Sequence, residues 1–208
     1  RRTPLTNPGK GGDRVNSSYL LSAPGIFRTI QGEGAMIGEP MTFIRLAGCS
    51  VGCPLCDTDY RVTSRATAAE ISAGVALITP PKTWVWITGG EPTDHDLGPL
   101  LTALGGFRVA LATSGIRPVA HRPDWLSVSP HDPGRWAQRS GDELKIIPGL
   151  NGFGLADFAS PISGAKFAHR YAFPCWGLAD SVAECAAWVE GNPGWRLGVQ
   201  AHKHWGLP

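Results

Sequence analysis

Residues 41–58 of this chain read MTFIRLAGCSVGCPLCDT. The first seven form an apolar run typical of a β-strand, and the loop after it carries three cysteines spaced CxxxCxxC. Thiolates bind iron–sulfur clusters and zinc. Three of them leave one coordination position open, which a distant Cys or His can fill, or a small molecule. Cys49, Cys53 and Cys56 therefore predict a metal centre at a strand end, with two candidate metals.

The composition is that of an ordinary globular chain. It has 208 residues, of which 42 % are hydrophobic and 17 % charged, and its net charge is only +2. So weak a charge gives no electrostatic ground for nucleic-acid binding. No apolar run has the length of a membrane span, and residues 1–16 lack the apolar core of a signal peptide. We expect a flexible tail over 1–16, a single domain over 17–208, and no membrane partner.

Cysteine usage indicates a reducing compartment. The chain has five cysteines, an odd number with three of them clustered, which disfavours the disulfide framework of a secreted protein. The cytoplasm is the expected location.

Apolar runs alternating with helical patterns predict parallel βα units. We expect helices at 67–78 (N-cap Thr67, with Glu70 three residues later), at 94–104, and at 181–190, capped by Ser181. About three helices serve roughly six parallel strands, too few for a closed eight-fold barrel. The predicted fold class is α/β, an open, incomplete (β/α) barrel. The strand-like runs lie at 41–47, 83–88, 107–112, 125–128, 143–147, 166–172 and 195–200.

Polar turns follow four of these strands. They are the cysteine loop, Gly89–Pro92 (GGEP), Thr113–Gly115 (TSG) and Ser129–His131 (SPH). Because the carboxyl ends of parallel strands meet at one edge of a sheet, we expect these four turns to surround one site.

Several of these segments resemble a known family. The combination of CxxxCxxC with a later strand that ends in GGEP resembles the motifs of the radical S-adenosylmethionine (SAM) superfamily. The loop FRTIQGEG at 27–34 resembles the opening of the 7-carboxy-7-deazaguanine synthases, and the likeness extends from about residue 26 to 208. Further matching segments are FIRLAGC at 43–49, CDTDY at 56–60, DELKII at 142–147 and QAHKHWGLP at 200–208.

The resemblance implies a radical SAM core and a lyase activity. Members convert 6-carboxy-5,6,7,8-tetrahydropterin to 7-carboxy-7-deazaguanine by radical ring contraction with loss of ammonia, in 7-deazapurine and queuosine-type biosynthesis. It implies a [4Fe–4S] cluster on Cys49, Cys53 and Cys56, SAM on the open iron, and Mg²⁺ on Thr58. An external one-electron donor such as a flavodoxin is implied too. The cluster and SAM carry the chemistry, so the likeness implies no catalytic side chain.

The resemblance also implies which residues bind the ligands. The terminal carboxylate of Pro208 would reach the substrate, and Arg45 would pair with the substrate carboxylate. Two positions depart from the family, which usually has lysine at His131 and glutamine at Phe173. The implied substrate contacts are Ile30, Gln31, Gly32, Glu33, Arg45, Thr88 and Pro208. The implied SAM contacts are Leu55, Cys56, Asp57, Gly90, Glu91, Ser129, Pro130, His131, Phe173, Pro174, Cys175 and Trp176.

Two alternatives remain open from the residues alone. Glycyl-radical activating enzymes are also short radical SAM proteins with CxxxCxxC, but they act on a protein backbone. A zinc-stabilised binding module would use the three cysteines with a fourth ligand and would not be an enzyme. An incomplete barrel also has exposed sheet edges, which makes a homodimer the expected assembly.

Metal analysis distinguishes the two candidate metals. Protein purified without oxygen should be brown and contain about four iron and four sulfide per chain, because a cluster needs only three thiolates here. A colourless protein with one tightly held zinc would contradict the cluster. A Cys53→Ser variant purified in parallel should lose most of the iron.

Overall fold

A computed structural model of the chain describes residues 18–208. The expected tail at 1–16 lies outside this range, and the division into tail and single domain stays a prediction. Within the described range, nine strands form one sheet in the order β3-β1-β2-β4-β5-β6-β7-β8-β9. The strands are β1 Ser18–Ile30, β2 Pro40–Leu46, β3 Ser64–Thr67, β4 Trp84–Gly89, β5 Arg108–Thr113, β6 Trp125–Val128, β7 Ser140–Ile146, β8 Lys166–Ala172 and β9 Trp195–Leu197.

The strands from β2 onward, except β3, pair in parallel, and β1 pairs antiparallel with both β2 and β3. The end strands β3 and β9 each have one neighbour, so the barrel is open. This confirms the predicted fold class. The helices are α1 Ala68–Ile78, α2 Gly98–Ala103, α3 Ala159–Ser163, α4 Ser181–Gly191 and α5 Ala201–Trp205. None of the helices in residues 18–208 is long and apolar enough to cross a bilayer.

The capping box predicted for α1 is confirmed. Thr67 Oγ1 accepts a hydrogen bond from the backbone N–H of Glu70, and the Glu70 carboxylate accepts one from the N–H of Thr67. Two unpaired N–H groups of the first turn are thereby satisfied.

One predicted helix start is wrong, and so is one predicted cap. The helix expected at 94–104 begins only at Gly98, because Asp94 is bound to the cysteine loop and Asp96 instead accepts from the N–H of Gly98. Ser181 does not cap α4: its hydroxyl donates to the carbonyls of Cys175 and Leu178.

The last predicted strand is too long. β9 ends at Leu197, three residues before the predicted end, and Gly198 then packs against the ring of Phe173, where a Cβ would lie 2.5 Å from ring atoms. Neither β1 nor β3 was predicted, and β1 contains Pro24–Gly25, a pair typical of a turn. It crosses that point with a register shift between Leu21 and Ile26.

Side chains alternate between the two faces of the sheet. Ile44, Ile87 and Leu111 belong to the larger buried cluster, which α1 and α2 cover. On the inner face a smaller cluster of Met41, Phe43, Trp86 and Ala110 fills the amino ends of the strands. Towards the carboxyl ends the inner positions become polar, with Arg45 beside Thr88 on neighbouring strands. The inner face of the sheet is therefore apolar at the amino ends of the strands and polar at their carboxyl ends.

The capping box of α1 should contribute measurably to the free energy of unfolding. Thr67→Ala should lower the free energy of unfolding by about 1 kcal/mol, because it leaves a first-turn N–H without its acceptor. Equilibrium urea unfolding measures this. Ser64→Ala, an exposed change in β3, is the matched control and should stay within roughly 0.5 kcal/mol of wild type. Equal stability of the two variants would show that the box contributes nothing.

Candidate active site

Two adjoining cavities open at the carboxyl ends of the strands. The first has a volume of about 260 Å³ and the second about 140 Å³. Glu33, Thr88 and Ala112 line both, so the two cavities share one wall. The four polar turns of the sequence all contribute to the first cavity.

The three cysteines of the loop line the first cavity as free thiols. Burial, and then the neighbouring Cys56 and Cys49, raise the pKa of Cys53 to about 11. Burial also raises the pKa of Cys56. A metal must therefore displace protons from these thiols, so binding releases protons to solvent.

The donor set fits a cluster better than a single ion. Among residues 18–208, no three His, Cys, Asp or Glu side chains surround one point closely enough to hold an ion. Cys49, Cys53 and Cys56 line one cavity together, and three thiolates are the protein ligands of a [4Fe–4S] cluster with one open iron, whereas a structural zinc site needs a fourth ligand.

Side chains from outside the cysteine loop anchor it at two points. Near Cys49, the N–H and hydroxyl of Ser50 both donate to the Asp94 carboxylate at 2.7 Å, and Arg117 pairs with the same carboxylate. Burial opposes ionisation of Asp94, but these partners outweigh it and lower its pKa. At the other end, Lys203 pairs with Asp57. The loop is thus tied to the turn after β4 and to α5.

Gly89 and Gly90 allow the turn after β4 to lie directly on the cysteine loop. A Cβ at Gly90 would lie 1.8 Å from the carbonyl oxygen of Gly48, and Gly89 has φ +134°. Backbone bonds then join the two turns, from Gly90 N–H to Leu46 O and from Glu91 N–H to Gly48 O, both 2.9 Å. Only glycine permits this approach.

Glu91 is 1 % exposed and already fully bonded to protein. Its carboxylate accepts hydrogen bonds from the N–H and hydroxyl groups of Thr93 and Ser114 and from the hydroxyl of Thr113. It lines the first cavity, yet its bonds serve to hold the turns after β4 and β5 together.

Two buried polar atoms of the first cavity lack a protein partner. They are Ser129 Oγ and His131 Nδ1, both in the turn after β6. Buried polar groups are nearly always hydrogen-bonded, so these two atoms indicate a ligand. Burial lowers the pKa of His131 to about 4, against the opposing charge of Glu91. The imidazole is therefore neutral at physiological pH.

The second cavity gathers the residues expected to contact the substrate. Arg45 lies on β2, with its guanidinium 5.1 Å from the ring centre of Phe27, and burial lowers its pKa against the raising effect of Asp57. Gly32 packs against His202, where a Cβ would lie 2.4 Å from the imidazole. The lining includes all seven expected residues, namely Ile30, Gln31, Gly32, Glu33, Arg45, Thr88 and Pro208.

Most, but not all, of the expected SAM contacts line the first cavity. Pro130, Phe173 and Pro174 do not: Phe173 is 1 % exposed and packs on Gly198. Those that do, together with Thr58, are Leu55, Cys56, Asp57, Gly90, Glu91, Ser129, His131, Cys175 and Trp176.

Sequence reasoning missed several polar residues around these cavities. Lys145 on β7 lines the second cavity, Gln200 and Lys203 of the C-terminal segment line the first, and Glu143 on β7 holds the loop of Glu33 from outside both linings. The signal was present for β7, because DELKII places charges at alternate positions of a buried strand.

The chain is similar to curated proteins and to a solved structure, although no protein-family model matches it. A protein of Nitratidesulfovibrio vulgaris named 7-carboxy-7-deazaguanine synthase is 33 % identical over 213 residues, covering 88 % of this chain and 97 % of its own. A Synechocystis protein of the same name is 35 % identical, covering 87 % and 90 %. The crystal structure of QueE from Escherichia coli matches with a TM-score of 0.67 at 26 % identity, covering 89 % and 95 %.

The neutral His131 predicts a pH dependence of stability. An unfolded histidine takes up a proton near pH 6.5, whereas His131 in the folded chain does so only near pH 4. Stability therefore falls as the pH is lowered through this window, because the unfolded state binds the extra proton. His131→Gln should remove this part of the decline, measured by urea unfolding between pH 7 and pH 4. Ser129→Ala, a non-titrating change in the same wall, should keep it; an unchanged profile in His131→Gln would contradict the buried neutral imidazole.

Proposed function

This chain belongs to the 7-carboxy-7-deazaguanine synthase family of radical SAM enzymes, and we propose that it converts 6-carboxy-5,6,7,8-tetrahydropterin to 7-carboxy-7-deazaguanine with loss of ammonia. The observation that carries the proposal is the pair of adjoining cavities, one lined by the three cysteines and one by Arg45. Family membership favours this reaction over the two alternatives, a glycyl-radical activating enzyme and a zinc-binding module.

The first cavity is assigned to the cluster and SAM. Cys49, Cys53 and Cys56 would hold a [4Fe–4S] cluster. When bound, cluster and SAM together supply the carbon radical that removes a hydrogen atom from the substrate. The backbone around Gly90 and the unpartnered Ser129 Oγ and His131 Nδ1 would orient SAM. A neutral imidazole at His131 can accept or donate one hydrogen bond but adds no fixed charge.

The SAM contacts expected at Pro130, Phe173 and Pro174 receive no support from the cavity lining. Phe173 would act from behind the wall, through its packing on Gly198. We propose that the other residues lining the first cavity enclose the cofactor and exclude water. They include Leu55, Asp57, Cys175 and Trp176.

The second cavity is assigned to the pterin. Arg45 would pair with the substrate carboxylate, since a planar guanidinium binds a carboxylate through two parallel bonds. Gln31, Gly32 and Glu33 would read the edge of the ring, and Thr88 in the shared wall would contact the substrate beside SAM. These side chains bind and orient, while the shared wall sets the reacting atoms near each other.

Magnesium is proposed on Thr58, which lines the first cavity. Mg²⁺ usually keeps several waters and few protein ligands, so one hydroxyl with the substrate carboxylate is a suitable set.

We further propose an external one-electron donor such as a flavodoxin, because the three clustered cysteines can hold only one redox centre. A homodimer is supported by the open edge at β9, where Leu197 is 47 % exposed. The five free thiols favour the cytoplasm.

Turnover by the reconstituted enzyme tests the function. Under anaerobic conditions with SAM, Mg²⁺, a reductant and 6-carboxytetrahydropterin, the deazaguanine product should form. Arg45→Met should lower kcat/KM roughly 100-fold, because the substrate carboxylate loses its half-buried counter-ion. Arg28→Met is the matched control, since Arg28 is exposed on β1 outside both cavity linings.

The control should turn over at the wild-type rate. If the wild-type enzyme, with its cluster intact, neither binds nor converts the pterin, the proposed substrate is wrong. A glycyl-radical activating activity would then become the leading candidate.

A further inference from the structure

A buried ion pair lies in the wall between the two cavities. Lys145 Nζ donates to Glu33 Oε2 at 2.7 Å, and Gln200 Nε2 donates to Glu33 Oε1 at 2.8 Å. Glu33 lines both cavities, whereas Lys145 lines only the second. Both oxygens of the carboxylate are therefore held from outside its own loop.

Lys145 has few other partners. It lies on the inner face of β7 and is 7 % exposed, with its ammonium 5.7 Å from the ring centre of Phe173. Burial disfavours its charge, but Glu33 and Glu143 outweigh burial and raise the pKa of Lys145. Lys145 is thus a fixed cation rather than a proton donor at neutral pH.

The carboxylate of Glu143 is hydrogen-bonded to groups other than Lys145. It accepts from the N–H of Ala35 at 2.6 Å and from Ser127 Oγ at 2.9 Å. It therefore holds the loop that carries Glu33 and leaves Lys145 to pair with Glu33.

Glu33 depends on this cation. Burial alone would raise its pKa, but the charge and hydrogen bond of Lys145, then Gln200 and His202, lower the pKa to about 2. The charged groups facing Glu33 come from two elements, Lys145 on β7 and His202 on α5. Without Lys145, burial would favour the neutral acid.

We propose that Lys145 is a positioning residue, which keeps Glu33 negatively charged and aimed into the shared wall so that it accepts hydrogen bonds from the N–H groups of the pterin. A carboxylate has about four acceptor positions, so Glu33 keeps capacity for a ligand beside its two protein partners. A neutral acid would present a donor instead and would mismatch an N–H edge. The inference rests on the proposed function, because it takes the ligand to be that pterin.

Equilibrium binding tests the inference without turnover. The full chain, anaerobic and with its cluster, is titrated with 6-carboxytetrahydropterin by calorimetry from pH 5 to pH 9, in the absence of SAM. The variants are Lys145→Met, Glu33→Gln and the double variant. Lys166→Met, an exposed lysine at the start of β8 outside both cavities, is the matched control. Each Kd is divided by the wild-type Kd at the same pH, which cancels the titration of the pterin itself.

Lys145→Met should weaken binding by about tenfold or more at pH 7. Its Kd relative to wild type should grow as the pH falls, because the uncompensated Glu33 then takes up a proton. Glu33→Gln should bind weakly with a ratio that does not vary with pH. In the Glu33→Gln background, Lys145→Met should cost nothing further, since Lys145 acts only through Glu33.

Three outcomes are decisive. A double variant that binds much more weakly than Glu33→Gln would overturn the inference, since Lys145 would then act by itself. Wild-type affinity in Lys145→Met at every pH would overturn it as well. If Lys145→Met does not fold, the comparison of the double variant with Glu33→Gln still decides. A wild-type chain that does not bind the pterin at all would instead refute the proposed function.

Discussion

Glu91 lies almost completely buried where β2, β4 and β5 end, and its bonds join the turns that follow those strands. Its N–H donates to the carbonyl of Gly48 in the cysteine loop, and its carboxylate accepts from Thr113 and Ser114 after β5. A buried carboxylate is stable only when its oxygens are satisfied, so the turns cannot separate without leaving a charge unpaired. The walls of the first cavity depend on this arrangement, because each comes from a different strand end.

The shared wall relates the two cavities to one reaction. Radical transfer needs donor and acceptor atoms in contact and water excluded. Glu33, Thr88 and Ala112 line both cavities, so the cavity of the cysteines directly adjoins the cavity of Arg45. Three side chains hold the loop of Glu33: Lys145 and Gln200 donate to the Glu33 carboxylate, and Glu143 accepts from the N–H of Ala35. Because Lys145 and Glu143 both lie on β7, this support leaves the ligand site little freedom to relax.

Local signals account for what could be predicted. The sequence correctly predicted the strands at 125–128 and 166–172 and the capping box of α1. These features depend on the alternation of side chains along a strand and on helix caps, which involve only a few neighbouring residues. The misplaced start of α2 and the misassigned cap of α4 share one cause: Asp94 and Ser181 have side chains typical of caps, but backbone groups outside their helices bind them. A single sequence does not show that competition.

The sequence by itself determined the parallel strands, the cysteine loop, the glycine turn and, through family resemblance, most of the residues around both cavities. These are properties of neighbours along the chain, set by backbone geometry and donor chemistry. Tertiary structure alone decided that Glu91 joins strand ends, that Phe173 lies behind the wall, and that Lys145 pairs with Glu33 across 112 positions. Such pairings depend on strand register and on burial, because a charged side chain requires a partner only once the fold has removed it from water.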